Sequence, residues 1–279
     1  MAVGRTHWSA ADALAGQREV RAMGDLRGSG SPLGGPPHEL ALMTSLDALL
    51  ANLIDYAGLY PPASLDLPSV IENYDRYRSS PDHWILNRLV LPASKLNDVK
   101  LRPKWRVTLL TNQDPGKLPP QIETLETKGE RRLSLPTYCE APLDQITDGF
   151  AKIRTGGITP DAAPPSTDLA QFLHQAAARR IPFKATAGLH HPIRASMHGF
   201  VNVFVAAAFA WHGMDRESLI LVLEETHAPA FEFGEDQLSW RGLQLSTEQI
   251  YAARRHFAHS FGSCSFDEPL QDLRDLGWH

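Results

Sequence analysis

Two lysines stand near the ends of apolar runs that close on glycine. They lie in "FAKIRTGG" (150–157) and "IPFKATAGLHH" (181–191). On a strand, residues two apart face the same side, so Lys152 and Arg154 share one face. Two lysines in one pocket make chemical sense. A neighbouring cation and partial burial lower an amine's pKa and make it a nucleophile toward carbonyls, and a carboxylate beside it can move protons. The same cations could instead clamp a phosphate or carboxylate, a role open to Lys184 and the natural one for Arg154, which stays protonated. His190 and His191 are adjacent, so their side chains diverge; they read as loop structure or substrate contacts rather than a shared metal site. Cys264 has no obvious histidine partner and reads as a small core residue. Glu224 and Glu225 read as a solvated helix end.

These side chains need a scaffold that gathers strand ends. From residue 44 onward, strand-like and helix-like stretches alternate. The strand-like runs are "LIDYAGL" (53–59), "LNRLVLPAS" (86–94), "WRVTLLTN" (105–112), "QIETLETKG" (121–129), "LSLPTYCEAP" (133–142), "FAKIRTGG", "IPFKATAG" and "FGSCSF" (261–266). Helices are expected over 67–80, over 166–180 with Ser166 or Thr167 as cap, over 199–213, and over 246–260 behind a Ser246/Gln249 capping box. "DRESLILVLEET" (215–226) reads as a helix behind Asp215, and "FEFGEDQLSWRG" (231–242) as a hairpin. Strands interleaved with helices imply parallel βαβ units. Eight strands make a (β/α)8 TIM barrel, with a helix-plus-hairpin insertion between strands 7 and 8. An open doubly wound sheet competes, but no dinucleotide fingerprint or phosphate loop opens any helix. In a barrel, polar residues at strand C-termini line the site. That gathers Asp55, Asn112, Glu123 or Glu126, Glu140, Lys152, Arg154, Lys184 and the Gly262–Ser265 turn.

The bulk numbers are compatible. A chain of 279 residues with 43% apolar and 21% charged residues can bury a sizeable core. A net charge of −5 without a basic stretch argues against nucleic acid. Two cysteines, Cys139 and Cys264, are too few for a disulfide framework, and a reducing cytosol is the expected compartment. No apolar run reaches the roughly 18–20 residues of a membrane helix. The nearest, over 199–213, contains Asn202 and ends at Gly213. Residues 1–43, with "GDLRGSGSPLGGPPHE" (24–39), read as a disordered leader, and 44–279 as a single barrel domain.

In this order the runs resemble the deoxyribose-phosphate aldolases, class I aldolases on a (β/α)8 barrel. "LIDYAGLYPPASLDLPSVIENY" is similar to their opening strand, proline turn and helix, and "RVTLLTNQDPGK" to their third strand. "AKIRTGG" resembles the Lys-Thr-Ser-Thr-Gly strand of the Schiff-base lysine. "FKATAGLHHPIRA" resembles the Phe-Lys-Pro-Ala-Gly-Gly-Val-Arg strand of the lysine that perturbs it. "SFGSCSFDEPLQDL" resembles the closing Phe-Gly-Ala-Ser-Ser strand. The likeness spans about 53–198 and 256–277. It implies Lys152 as nucleophile and Lys184 as its perturbing cation. The acidic partner falls near Glu123, where the family has aspartate, with Asp55 in support. Substrate would be held by Gly156, Gly157, Gly188, His190, His191, Arg194, Gly262, Ser263 and Ser265, with Glu140 and Arg154 beside them. The chain departs from the family at Arg154, where a small polar residue is usual, at His190–His191 in the phosphate loop, and in the longer stretch 199–255.

The leading expectation is a Schiff-base carbon–carbon lyase acting on a small anionic carbonyl compound. No nicotinamide, flavin or metal is expected, because the lysine supplies the electron sink. No membrane partner is expected either, and a homodimer is compatible. Arg154 would favour an acidic group near the reacting carbonyl, or would instead pair with Glu140 or Glu126. Two other readings stay open: a barrel that binds an anionic metabolite without turnover, and metal-assisted hydrolase or lyase chemistry through His190 or His191 with Glu140.

Overall fold

The computed structural model describes residues 43–131, 133–157, 159 and 162–279. The leader expected over 1–43 lies outside these residues except for Met43. Eight strands close into a parallel barrel: β1 (Ile54–Tyr56), β2 (Leu86–Pro92), β3 (Val107–Leu110), β4 (Ile122–Lys128), β5 (Thr137–Glu140), β6 (Phe150–Arg154), β7 (Phe183–Thr186) and, after the insertion, β11 (Ala258–Ser263). Their order around the barrel is β1–β11–β7–β6–β5–β4–β3–β2. The expected (β/α)8 architecture is therefore present.

The pleat sends alternate residues outward, and these are apolar. Leu89, Leu91, Val107, Leu109, Leu125, Ala185 and Phe261 are all fully buried. Helix α1 (Ser45–Leu50) precedes β1 and opens on a Thr44–Asp47 capping box. Helix α2 (Leu67–Arg78) follows β1, capped by Asp66 with a proline in its first turn. Helix α3 (Ser166–Ala178) follows β6, and α4 (Phe200–Trp211) follows β7. Every residue of α4 from Phe200 to Ala210 is buried. It is sandwiched between the barrel and outer helices, with Phe204 stacked on Phe183 and Phe200 on Phe261.

Cover around the barrel is uneven. The connections after β2, β3, β4 and β5 (residues 93–106, 111–121, 129–136 and 141–149) hold turns and short 3-10 segments, with no α-helix among the described residues. The outer faces of these strands lie beneath loop side chains such as Leu96, Leu101, Leu118, Leu133 and Leu143.

The insertion between β7 and β11 contains α4, α5 (Arg216–Leu223), strands β8 (Phe231–Phe233), β9 (Gln237–Trp240) and β10 (Leu243–Ser246), and α6 (Thr247–His256). The expected hairpin gains a third strand, giving an antiparallel sheet β10–β9–β8. The Ser246–Gln249 capping box opens α6 as expected, and α7 (Asp267–Asp275) closes the chain.

Local expectations need three corrections. Pro165 occupies the cap position of α3 without a side-chain bond, while Ser166 is already helical and its buried hydroxyl has no partner. Helix α6 ends at His256, so Ala258, His259 and Ser260 belong to the last strand rather than to the helix. Glu225 is buried, accepting from Arg241 at 2.6 Å and from the Trp240 indole at 3.3 Å.

Candidate active site

Inward-facing positions of β1, β4, β7 and β11 build a buried charge cluster. Lys184 is 1% exposed; it donates to Asp55 Oδ2 and, at 2.5 Å, to Glu126 Oε1. Asp55 also accepts from Ser260 Oγ at 2.8 Å and from the Arg88 backbone N–H at 3.1 Å. Burial alone would lower the Lys184 pKa, but the Asp55 and Glu126 carboxylates outweigh it and hold the ammonium above the ordinary lysine range. Burial likewise pushes Asp55 up, yet Lys184 and Arg88 bring it below the usual carboxylate value. Lys184 is thus a fixed cation.

Lys152 approaches the same cluster from β6. Its Nζ lies 3.4 Å from Glu126 Oε2 and 3.0 Å from Glu140 Oε2. One carboxylate, Glu126, therefore bridges the two lysines through its two oxygens. The strand register brings the two lysines level, with Glu126 one pleat repeat below on β4. Lys128 pairs with Glu140, Lys152 pairs with Lys184, and Lys184 pairs with Ser260. Cys139 pairs with Ala151, one residue before each, so Glu140 comes level with Lys152. Five adjacent strands thus present Lys128, Glu140, Lys152, Lys184 and Ser260 at one height.

Above this row a cavity of about 340 Å³ opens at the C-terminal end of the barrel. Lys152, Lys184, Glu126 and Glu140 line it, Val90, Leu110, Pro61 and Leu189 supply apolar wall, and Arg154, Lys128 and His190 complete it. Arg154 is exposed and, among the described residues, has no ion-pair or hydrogen-bond partner. Glu126 and Glu140, its alternative partners, are taken by the lysines. Tyr60 lines the same cavity, and its buried hydroxyl has no hydrogen-bond partner.

The structure brings Asp55, Glu140, Lys152, Lys184, Arg154, Gly157, Gly188, His190 and Gly262 to the cavity or the cluster beneath it. Glu123 sits elsewhere. It lies near the N-terminal end of β4, where Arg88 Nε and Arg106 Nε donate to its carboxylate at 2.9 and 3.1 Å. Glu126, the other acid weighed on that strand, stands beside the lysines. Gly156 and Gly188 face one another: a Cβ on Gly156 would lie 2.8 Å from Gly188 Cα, and Gly188 has φ +81°. Thr155 Oγ1 donates to Ala187 O at 2.7 Å, tying the two loops together.

His191 pairs outward with Asp272 at 2.6 Å, and His190 Nδ1 lies 3.6 Å from Glu268. Arg194 is held by its backbone N–H to Asn202 and by Nη1 to His198 Nδ1 at 3.0 Å, away from the cavity lining. Ser263 is buried, and its Oγ accepts from the Ser265 N–H, while Ser265 Oγ accepts from the Glu268 N–H at 3.2 Å. Cys264 lines the cavity rather than the core, and burial raises its thiol pKa. Lys128, Tyr60 and Ser260 were missed from the sequence. Lys128 was accessible by alternation, two residues beyond Glu126.

Among the described residues no three His, Cys, Asp or Glu side chains converge where a metal ion could sit. Nor, among them, is any helix long and apolar enough to cross a membrane. Compared with protein families, with curated proteins and with solved structures, the chain matches none.

Proposed function

We propose that the barrel mouth is the active site of a Schiff-base-forming carbon–carbon lyase of the class I aldolase type, acting on a small anionic carbonyl compound. One observation carries this reading: Lys152 and Lys184 stand level on adjacent strands, joined through Glu126, beneath an open cavity. Lys184, clamped by two buried carboxylates, stays protonated and serves as the perturbing cation. Lys152 is the nucleophile, with Glu140 placed to take its proton.

The neutral amine adds to the carbonyl carbon, forming a C–N bond. The carbonyl oxygen collects two protons and leaves as water, giving an iminium. A hydroxyl on the β-carbon then gives its proton to Glu126 and becomes a carbonyl as the adjacent C–C bond breaks. The bonding electrons pass into the iminium and leave an enamine. Protonation at carbon and addition of water release the second product and restore the lysine. A reducing cytosol suits a site that carries Cys264 with no cysteine partner.

Borohydride treatment with hydroxyacetone, acetaldehyde or pyruvate is expected to add the reduced adduct's mass to the peptide holding Lys152. Labelling confined to other lysines, or labelling unchanged in Lys152→Ala, refutes the assignment. A second reading, anion binding without turnover, draws on the pairing of both lysines with carboxylates. It predicts saturable binding of an oxo acid with no adduct under borohydride.

A further inference from the structure

We propose that the substrate is a short oxo acid, its carboxylate held by Arg154 and Lys128 and an oxygen of its reacting end accepting a hydrogen bond from Tyr60. This rests on the lyase reading but is tested separately from it. The interior cannot attract an anion by itself. Asp55, Glu126 and Glu140 contribute −3 against +2 from Lys152 and Lys184, a formal −1, and the buried Arg88 beside Asp55 is answered by Glu123. Arg154 and Lys128 bring the cavity to +1, and among the described residues neither has an ion-pair partner. An anion entering the mouth is therefore received at these two side chains. A planar guanidinium on one side suits bidentate capture of a carboxylate.

Strand geometry limits the chain length. Arg154 lies on the same face as Lys152, one pleat repeat beyond it, about 6.5–7 Å along the strand. Lys128 is level with Lys152 on β4, two strand spacings away, or about 10 Å. An acid between them places a carbonyl at Lys152 only if the two groups are close in the molecule, as in a 2- or 3-oxo carboxylate. A sugar with its phosphate at the far end of the chain fits poorly. The third contact follows from Tyr60. A buried hydroxyl without a partner is unfavourable unless a ligand supplies an acceptor. Burial, with Glu126 close by, holds this phenol above the ordinary tyrosine range, so it stays a donor at neutral pH.

The test uses pyruvate and its neutral analogue hydroxyacetone, titrated against the full chain by saturation-transfer NMR without reductant. Pyruvate is expected to bind about tenfold more tightly than hydroxyacetone, the size of one charge-assisted contact. Arg154→Gln and Lys128→Gln should remove that preference and leave hydroxyacetone affinity unchanged, with Arg154→Lys restoring part of it. Tyr60→Phe, which keeps the ring, should weaken both ligands severalfold. Equal affinities in the wild type, or pyruvate binding insensitive to Arg154→Gln, overturn the proposal. Acid preference without a borohydride adduct sinks the lyase reading and leaves the acid site standing. An adduct at Lys152 without acid preference does the reverse.

Discussion

Replacing Lys184 by methionine removes the cation between two carboxylates that have little other solvation. Lys184 and Asp55 are each 1% exposed and Glu126 4%. Truncating one member of a buried pair costs about 3–5 kcal/mol. Here the cost stays in that range rather than doubling, because Asp55 keeps its bonds from Ser260 and the Arg88 N–H, and Glu126 keeps Lys152. Against a total stability of roughly 5–15 kcal/mol the loss is large. Its pH dependence carries the diagnostic. In the wild type the folded Asp55 pKa is depressed, so its contribution is present above the unfolded value of about 4 and is lost as pH falls through the folded one. The folded Lys184 pKa is raised, so its contribution is complete below about 10.4 and disappears only as pH rises through the folded value. Neither changes between about pH 5 and 8. Without the lysine, burial, the largest influence on Asp55, raises its carboxyl above the unfolded value, and stability is lost as pH climbs through the new folded pKa. Urea denaturation, followed by the fluorescence of the six tryptophans, should show Lys184→Met closer to wild type at about pH 5 than at pH 7.5. A deficit below about 1 kcal/mol at pH 7.5, or one equal at both pH values, refutes the cluster as described, since a buried pair is worth several times that.

Gly156→Ala drives a methyl to 2.8 Å from Gly188 Cα, so the loops after β6 and β7 must part. A loss of about 1–3 kcal/mol is expected as a lower Tm in calorimetry, and an unchanged Tm counts against the contact. Arg254 is fully buried and donates to the carbonyls of Ala51, Ala258 and His259, so Arg254→Met leaves them without that donor. A loss of about 3 kcal/mol in denaturant titration is expected, and one below about 1 kcal/mol would show the guanidinium to be dispensable. The Cys264 thiol, raised by burial, should react with iodoacetamide at pH 7.5 more slowly than a small free thiol and accelerate as pH rises. A rate equal to the free thiol's contradicts this.

The strands were legible because each carries an outward apolar face and ends on turn residues, and their order along the chain implied the barrel. The helix-poor arc departs from the alternation of strands and helices expected along the chain, although the strand-like runs from 86 to 157 follow one another with no helical period between them. Strand four was harder. "QIETLETKG" carries acids on both parities, at 123 and 126, and alternation alone does not say which faces inward. The register shift between β3 and β4 near Val107 makes the N-terminal end of that strand irregular, which is where Glu123 is captured by Arg88 and Arg106. Ser260 was hidden because "ARRHFAHS" continues a helical pattern past the point where Phe257 leaves it, at φ −138°, ψ −67°. Tyr60 lies on a loop, and no periodicity constrains where a loop side chain points.

The uneven cover of the barrel has a mechanical consequence for the charge cluster. Lys152, Lys184, Ser260 and Asp55 ride on β6, β7, β11 and β1, strands whose next regular element among the described residues is an α-helix. Glu126 and Glu140 ride on β4 and β5, whose connections hold only loops and short turns among the described residues. Two of the three counter-ions thus sit on strands joined by loops, while Asp55 shares the helix-backed side with Lys184, and the Glu126 and Glu140 pairs act as rivets across the seam between the two sides. A shift of the loop-connected strands would carry Glu126 and Glu140 away from the lysines in one movement and leave the Lys184–Asp55 pair in place. That would stretch these rivets while leaving the cations seated on the helix-backed side. The pairing of Lys152 and the position of one wall of the barrel are therefore linked, and whatever wedges into the mouth against that wall also sets the company Lys152 keeps.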